Sequence, residues 1–197
     1  MNTSLRIDLL RHGEPEGGQR YRGCGIDDPL SETGWVQMRA AVGKASVSWD
    51  HIITSPMRRC REVAEVLSHE RSVALSVEED LREVGFGSWE GRSPEAIKAE
   101  AIDEYLAFYS DPAVARPEGA EPLEDFAARV RRALTVLTEH HGGEHLLVVA
   151  HSGVIRAAIT HAMGVPPAAL YRLRMPYAAL TRLRLDERGL SVEFVNR

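Results

Sequence analysis

Residues 146–150 (LLVVA) form an unbroken apolar run that constrains the fold of this 197-residue chain more than any other segment. A strand without a polar face must be covered on both sides, which is typical of a central strand in a parallel sheet. Residues 5–10 alternate apolar and polar side chains and predict a second buried strand. Helical spacing of apolar residues over 123–140 predicts a long amphipathic helix between the two strands. Strands alternating with helices predict an α/β fold of three layers (α/β/α), in which helices cover both faces of a mostly parallel sheet.

Capping residues indicate where further helices begin. Ser55 followed by Pro56, and Ser93 followed by Pro94, each combine an N-cap residue with a proline in the first turn. The second of these helices is expected to extend to about Tyr109. Three prolines and a glycine predict a loop over residues 111–122, which is expected to overhang the functional site. Residues 181–195 are predicted to form a C-terminal hairpin.

The composition limits the classes of partner. With 44% hydrophobic residues and no low-complexity tract, residues 1–197 are expected to form a single domain. The formal net charge of -5 argues against binding to nucleic acid or an anionic membrane, so an anion site needs a local cluster of basic groups. No apolar run reaches the roughly 18 residues of a membrane span, and the first residues do not resemble a secretory signal. Two cysteines give no disulfide framework, so a cytoplasmic location is expected.

Both buried strands lead into a histidine followed by small residues. Arg11 and His12 follow the first strand, and His151 follows the second directly. Ligand sites in open α/β sheets form at the carboxyl ends of strands, so histidines from adjacent strands can meet there. One such histidine is more often structural than functional. Two of them, with an arginine beside one, favour a functional site.

Five segments in order along the chain carry charged or histidine residues at characteristic spacings. They are residues 10–14 (LRHGE), 54–60 (TSPMRRC), 81–91 (LREVGFGSWEG), 117–121 (PEGAE) with Asp125 and Arg129, and 148–153 (VVAHSG) with Arg156. Together they resemble the histidine phosphatases, the phosphoglycerate mutase-like superfamily. The resemblance spans nearly the whole chain and implies that fold, a small phosphorylated metabolite as substrate, a phosphohistidine intermediate, and neither metal nor cofactor.

The resemblance implies that His12 is the nucleophile and that Arg11 and Arg59 bind the phosphate. A histidine must be neutral to attack phosphorus, so one ring nitrogen should be held while the other faces the substrate. The planar guanidinium group suits phosphate because it bonds two oxygens at once. Arg58 is the neighbouring alternative to Arg59, but the family pattern places the functional arginine directly before Cys60.

Three further residues complete the expected site. His151, if protonated, adds positive charge near the transferring oxygens. The backbone N–H of Ser152, at the start of a helix, adds another donor for an anion. Glu83 is the candidate general acid that protonates the leaving alcohol and then activates water. Without its motif, Glu83 would be interpreted as a surface carboxylate beside the acidic residues 78–80.

The other histidines invite a metal-site interpretation, chiefly His140, His141 and His145. The chain has no His-Glu-x-x-His pattern and no cysteine partner for them, so a solvated helix end is favoured. Such groups are also favourable near a helix C-terminus.

Three functions remain open within and outside the resemblance. The run 87–91 resembles the phosphatase branch of the superfamily. Residues 22–38 resemble the alpha-ribazole phosphatases of bacterial cobalamin biosynthesis, which favours a small-molecule phosphatase acting on alpha-ribazole 5'-phosphate. A broad-specificity phosphatase or a 2,3-bisphosphoglycerate-dependent phosphoglycerate mutase is the alternative, the mutase being disfavoured because the chain is too short for its usual insertion. A phospholigand-binding relic without activity is the third, although all the expected functional residues stand.

Overall fold

The computed structural model describes residues 4–45 and 47–197. Its strands are β1 (Leu5–Arg11), β2 (His51–Thr54), β3 (Ala74–Val77), β4 (His145–Ala150), β5 (Leu180–Asp186) and β6 (Gly189–Phe194). Its helices are α1 (Glu32–Lys44), α2 (Arg58–Arg71), α3 (Pro94–Glu100), α4 (Ile102–Ser110), α5 (Leu123–His140) and α6 (Ser152–Ala162). Short 3-10 helices span Glu79–Leu81, Gly87–Trp89 and Pro167–Arg172.

Within the described residues, one six-stranded sheet has the order β3-β2-β4-β1-β5-β6. Strands β3, β2, β4 and β1 are parallel, whereas β5 runs antiparallel to β1 and β6 antiparallel to β5. All six residues of β4 are buried, which confirms the central parallel strand predicted from its apolar run. The mixed, mostly parallel sheet also confirms the predicted fold class, and the C-terminal hairpin is present.

Helices cover both faces of the sheet, and each face has its own apolar core. Leu146 and Val148 of β4 belong to the core that includes α5 and α6. Leu147 and Val149 point to the opposite face and belong to the core that includes α1 and α2. The alternation of side chains along a single buried strand therefore builds both cores of the three-layer α/β/α fold.

The predicted start of α2 is wrong. The N-cap is Met57 rather than Ser55, and no side chain in the described part of the chain caps the helix. The Ser55 hydroxyl instead lies 2.7 Å from Nε2 of His151, at the end of the neighbouring strand. A buried ring nitrogen needs a partner, and the same hydroxyl oxygen also accepts the Met57 N–H at 3.3 Å, so Ser55 supports the turn before α2 rather than the helix itself.

The single helix expected from Pro94 to Tyr109 is also wrong, although Ser93 does cap its start by accepting the Ala96 N–H. Ala101 separates α3 from α4 with non-helical backbone angles, φ -144° and ψ 62°. No glycine or proline occurs at this break, so tertiary packing sets it. The second helix turns so that Phe108 is fully buried against the rings of Trp89 and Tyr171.

Candidate active site

His12 and His151 meet at the carboxyl ends of β1 and β4, as the sequence predicts. Arg11 pairs with Ala150 in the parallel register, and the His12 N–H donates to the Ala150 carbonyl at 3.0 Å. Both imidazoles are buried, with ring centroids 5.2 Å apart in an edge-to-face arrangement. Sheet geometry alone therefore brings together two residues that lie far apart in the sequence.

Two glycines allow the loop after His12 to approach α1 closely. A Cβ at Gly13 would overlap the backbone of Gly34, and a Cβ at Gly34 would overlap the Glu14 carbonyl. Ser31 caps α1 at the same place, accepting the Gly34 N–H and donating its hydroxyl to the Glu14 carbonyl. The start of α1 thereby fixes the backbone that follows the imidazole of His12.

The His12 ring has the tautomer that a nucleophile needs. Its Nδ1 lies 2.7 Å from the Gly13 carbonyl oxygen, which can only accept a hydrogen bond, so Nδ1 carries the proton. Burial, reinforced by the positive charges of Arg59 and Arg11, lowers the pKa of His12 well below its usual value of 6.5. The ring is therefore neutral, with a lone pair on Nε2.

His151 is neutral as well. The positive charge expected of it near the transferring oxygens requires the protonated ring. Arg59 donates its Nε–H to Nδ1 of His151 at 3.2 Å, so Nδ1 carries the lone pair and Nε2–H donates to Ser55. Burial and then the charge of Arg59 lower the pKa of His151 well below 6.5. A dianionic phosphate bound nearby would raise this pKa and favour protonation of the ring.

The two predicted phosphate arginines have different surroundings. Arg59 is almost fully buried, and its Nη1 and Nη2 donate to the carbonyls of Ile26 and Gly23, each at 3.0 Å. Arg11 stacks on the Tyr177 ring, with its guanidinium carbon 4.1 Å from the ring centroid, and donates to the Met175 carbonyl. Among the described atoms, its buried Nε has no hydrogen-bond partner, and burial lowers the pKa of Arg11 to about 10.

Glu83 lies at the N-terminus of α6 and lines the same cavity as His12. Its Oε1 accepts the Val84 N–H at 3.0 Å, and its Oε2 accepts the Gly153 N–H at 3.1 Å. The Ser152 hydroxyl lies 3.4 Å from the same Oε2. The positive end of the helix therefore holds the Glu83 carboxylate, whereas the sequence pattern assigned that end to phosphate. Glu83 is buried and is not the surface carboxylate of the alternative interpretation.

Two adjoining cavities lie at this end of the sheet, and fully buried His151 is not among the described residues that line them. The inner cavity, of about 160 Å³, is lined by His12, Glu83, Ser152, five arginines (Arg11, Arg20, Arg22, Arg59, Arg156), Gly23 and the rings of Tyr21, Phe86, Tyr109, Tyr171 and Tyr177. The outer cavity, of about 620 Å³, is lined by Arg11, Glu14, Gly18, Gln19, Arg20, Tyr21, Pro94, Tyr109, Pro176 and Tyr177. Residues 111–122, the expected overhanging loop, line neither cavity among the described residues.

Sequence reasoning missed Arg20, Arg22 and Tyr177. Arg22 is buried, bonds the Asp28 carboxylate at 2.8 Å and donates to the Gly18 carbonyl at 2.7 Å, so it shapes the loop after β1. Two arginines in a glycine-rich loop directly after His12 were the available signal, because loops at strand ends often carry ligand contacts. Nothing in the local sequence indicates that Tyr177 lies under Arg11.

The described residues hold no group of three or more histidine, cysteine, aspartate or glutamate side chains placed to bind a metal ion. The described helices also include none that is long and apolar enough to cross a membrane.

Arg58, the alternative to Arg59 as phosphate ligand, is exposed to solvent and pairs with Glu62 at 2.7 Å. Of the two neighbouring arginines, Arg59 is the one that lines the inner cavity.

Residues 7–197 match the sequence model of the histidine phosphatase superfamily (branch 1). A glucosyl-3-phosphoglycerate phosphatase of Mycobacterium tuberculosis is 33% identical over 165 residues, covering 77% of this chain and 72% of that protein. An adenosylcobalamin/alpha-ribazole phosphatase of Escherichia coli is 29% identical over 154 residues, covering 77% and 75%. The chain spans only 42% of the length of a bifunctional Mycobacterium tuberculosis relative, with 30% identity.

Solved structures show the same architecture. The alpha-ribazole phosphatase of Shigella flexneri superposes with a TM-score of 0.84 at 26% identity, covering 98% of this chain and 96% of that one. A mycobacterial glucosyl-3-phosphoglycerate phosphatase gives a TM-score of 0.85 at 29% identity, covering 98% and 99%.

Proposed function

This chain belongs to the histidine phosphatase superfamily, and we propose that it hydrolyses phosphate monoesters through a phosphohistidine intermediate on His12. The observation that carries the proposal is the hydrogen bond from Nδ1 of His12 to the Gly13 carbonyl. It leaves a neutral imidazole with its nucleophilic lone pair on Nε2, in a residue that lines an arginine-rich cavity.

The first step transfers the phosphoryl group to the enzyme. Nε2 of His12 attacks phosphorus, and the bond between phosphorus and the alcohol oxygen breaks. Glu83, as the carboxylic acid, gives its proton to the departing oxygen, because an alkoxide is a poor leaving group. The products of this step are the free alcohol, phosphohistidine and the Glu83 carboxylate.

The second step returns the enzyme to its starting state. The Glu83 carboxylate takes a proton from water as the water oxygen attacks phosphorus, and the phosphorus–nitrogen bond of phosphohistidine breaks. Inorganic phosphate leaves, His12 is neutral again, and Glu83 is again protonated. The same side chain therefore acts as acid and then as base, and the N–H groups of Val84 and Gly153 hold it in one place for both steps.

Local charge favours a phosphate dianion despite the negative charge of the whole chain. Five arginines line the inner cavity, whereas Glu83 is its one carboxylate among the described lining residues. In a buried site these charges act at low dielectric and can offset the charge of the transferring group. Arg59 uses three of its five N–H donors on His151, Ile26 and Gly23, so it contributes its charge and still has one donor on each Nη for a phosphate oxygen.

The proposed substrate is alpha-ribazole 5'-phosphate, a phosphate ester of a ring-bearing alcohol. The outer cavity supports this choice because it adds about 620 Å³ next to the arginine-lined inner cavity. Its walls include the rings of Tyr21, Tyr109 and Tyr177, which can stack on a planar heterocycle. The name of the Escherichia coli relative supports the same substrate class.

A phosphate-release assay over a panel of monoesters tests the proposal. The panel contains alpha-ribazole 5'-phosphate, a nucleoside 5'-phosphate, 3-phosphoglycerate and p-nitrophenyl phosphate. We expect the highest kcat/KM among the alkyl esters for alpha-ribazole 5'-phosphate, no isomerisation of 3-phosphoglycerate, and loss of all turnover in His12→Ala but not in the exposed control His161→Ala. Efficient isomerisation would assign the chain to the mutases, equal rates on all esters would indicate broad specificity, and no turnover would indicate a relic.

A further inference from the structure

We propose that Arg129 and Glu121 are positioning residues that hold the Glu83 carboxylate where it can exchange its proton with the leaving group and with water. This inference rests on the role of Glu83 in the proposed function. It also assigns a role to the motif between Pro117 and Arg129, whose charged residues are not among those lining the two cavities.

Arg129 uses all five of its N–H donors, three on carbonyls of residues 80–83 and two on the Glu121 carboxylate. Its Nη1 donates to the carbonyls of Asp80 and Arg82 at 2.7 and 2.6 Å, and its Nη2 donates to the carbonyl of Glu83 at 3.0 Å. Its Nε and Nη2 also bond the two carboxylate oxygens of Glu121 at 2.7 and 2.9 Å. A guanidinium group has no further donors, so the side chain is fully committed to this contact.

Glu121 holds the other side of the same stretch. Its Oε2 accepts the Gly85 N–H at 3.1 Å, and its own N–H donates to the Gly85 carbonyl at 3.2 Å. Arg116 donates to that carbonyl as well, at 2.8 Å. Residues 83–86 belong to neither a helix nor a strand, so side chains supply the partners that a ladder of backbone bonds would otherwise give.

The geometry requires arginine. Its donors form a rigid planar fork, which can reach three carbonyls and both oxygens of a carboxylate together. Lysine keeps the positive charge but offers three donors on one atom, so Arg129→Lys should release part of the segment. The side chain of Arg129 is 14% exposed, which limits the access of water that could replace the lost bonds. A shift of the Glu83 backbone would move its carboxyl group away from the bond that breaks.

The test compares two substrates that differ in their need for a proton. In Arg129→Lys, kcat/KM for the best alkyl ester of the panel should fall by roughly 10- to 100-fold, because a displacement of about 1 Å can cost that much, whereas p-nitrophenyl phosphate should lose less than about threefold. Arg132→Lys is the matched control. Arg132 lies one turn further along α5 and is exposed, and it contacts this stretch through the Asp80 carboxylate at 3.1 and 3.2 Å. It should leave both substrates unchanged.

A second variant and a combined variant keep the test decisive. Glu121→Gln should show the same selective loss, and it serves if circular dichroism finds Arg129→Lys unfolded. Adding Arg129→Lys to Glu83→Gln should cause no further change in the ratio of ester to aryl activity, because both changes act through one carboxyl group.

Three results would overturn the inference. Equal losses on both substrates in Arg129→Lys and Glu121→Gln would indicate a purely structural role. A further fall of the ratio in the combined variant would mean that Arg129 acts by another route. If Glu83→Gln itself lowers both substrates equally, the proposed role of Glu83 fails and the inference fails with it. If Glu83→Gln is selective and Arg129→Lys is not, only the inference fails.

Discussion

Gly153→Ala should displace the proposed general acid without unfolding the protein. A methyl group at Gly153 would lie well inside the van der Waals contact distance from Glu83 Oε1, 3.1 Å from Glu83 Cδ and 3.3 Å from Cζ of Phe126. Carbon and oxygen repel each other at such separations, so the carboxylate must move by about 1 Å. A misplacement of that size can lower the rate about 100-fold.

The stability of Gly153→Ala should hardly change, because the atom that must move ends a side chain and alanine favours a helix by up to about 1 kcal/mol over glycine. Gly43→Ala is the control, since its Cβ would meet no atom of the described residues within 4 Å. Stopped-flow or steady-state assays on an alkyl ester, with urea unfolding of each variant, give both quantities. Full activity in Gly153→Ala, or a loss matched by Gly43→Ala, would refute the argument that this contact sets the position of Glu83.

Three other predictions concern stability, titration and metals. Asp8 is fully buried and accepts hydrogen bonds from Trp49, His145 and Arg182. Asp8→Asn should therefore lower the free energy of unfolding, measured by urea titration, by about 3 kcal/mol, and a decrease of less than about 1 kcal/mol would contradict this. Burial alone would raise the pKa of Asp8, but the three hydrogen bonds outweigh burial and lower this pKa below its usual value. The stability contributed by the Asp8 carboxylate should therefore be present at neutral pH and lost as the pH falls through the lowered pKa. The pKa values of His12 and His151 lie well below 6.5, so nitrogen NMR should find both rings neutral at pH 6.5. Because both histidines become protonated only in the unfolded state as the pH falls below 6.5, the protein should become less stable there. A ring that titrates near 6.5 would contradict the burial argument. EDTA should leave the phosphatase rate unchanged, because the arginines supply the charge that a metal supplies elsewhere, and activity restored by a divalent ion would contradict this.

The fold was largely predictable because its strongest signals are local. The unbroken apolar run of β4 indicates burial on both faces, and strand ends in a parallel sheet converge at one edge. The meeting of His12 and His151 follows from those two facts. The break at Ala101 was not predictable, since the helix there turns to bury Phe108 and the sequence carries no breaking residue.

The site was predictable in its residue types but not in its hydrogen bonds. Patterns near Ser55 describe a helix cap, whereas the structure gives that hydroxyl to His151, 96 positions away. Likewise, the N-terminus of α6 attracts an anion, yet it is the Glu83 carboxylate that lies there. Long-range partners compete with local ones for the same donors and acceptors, and the sequence pattern records only the local choice.

The central claim, that His12 carries the phosphoryl group, is tested most directly by trapping the intermediate. Enzyme mixed with labelled substrate is quenched in alkali, where phosphohistidine survives, and the labelled peptide is identified by mass spectrometry. The account predicts an acid-labile, base-stable label on His12, present in His161→Ala and absent in His12→Ala. A base-labile label, a label on serine, or turnover that persists in His12→Ala would contradict it.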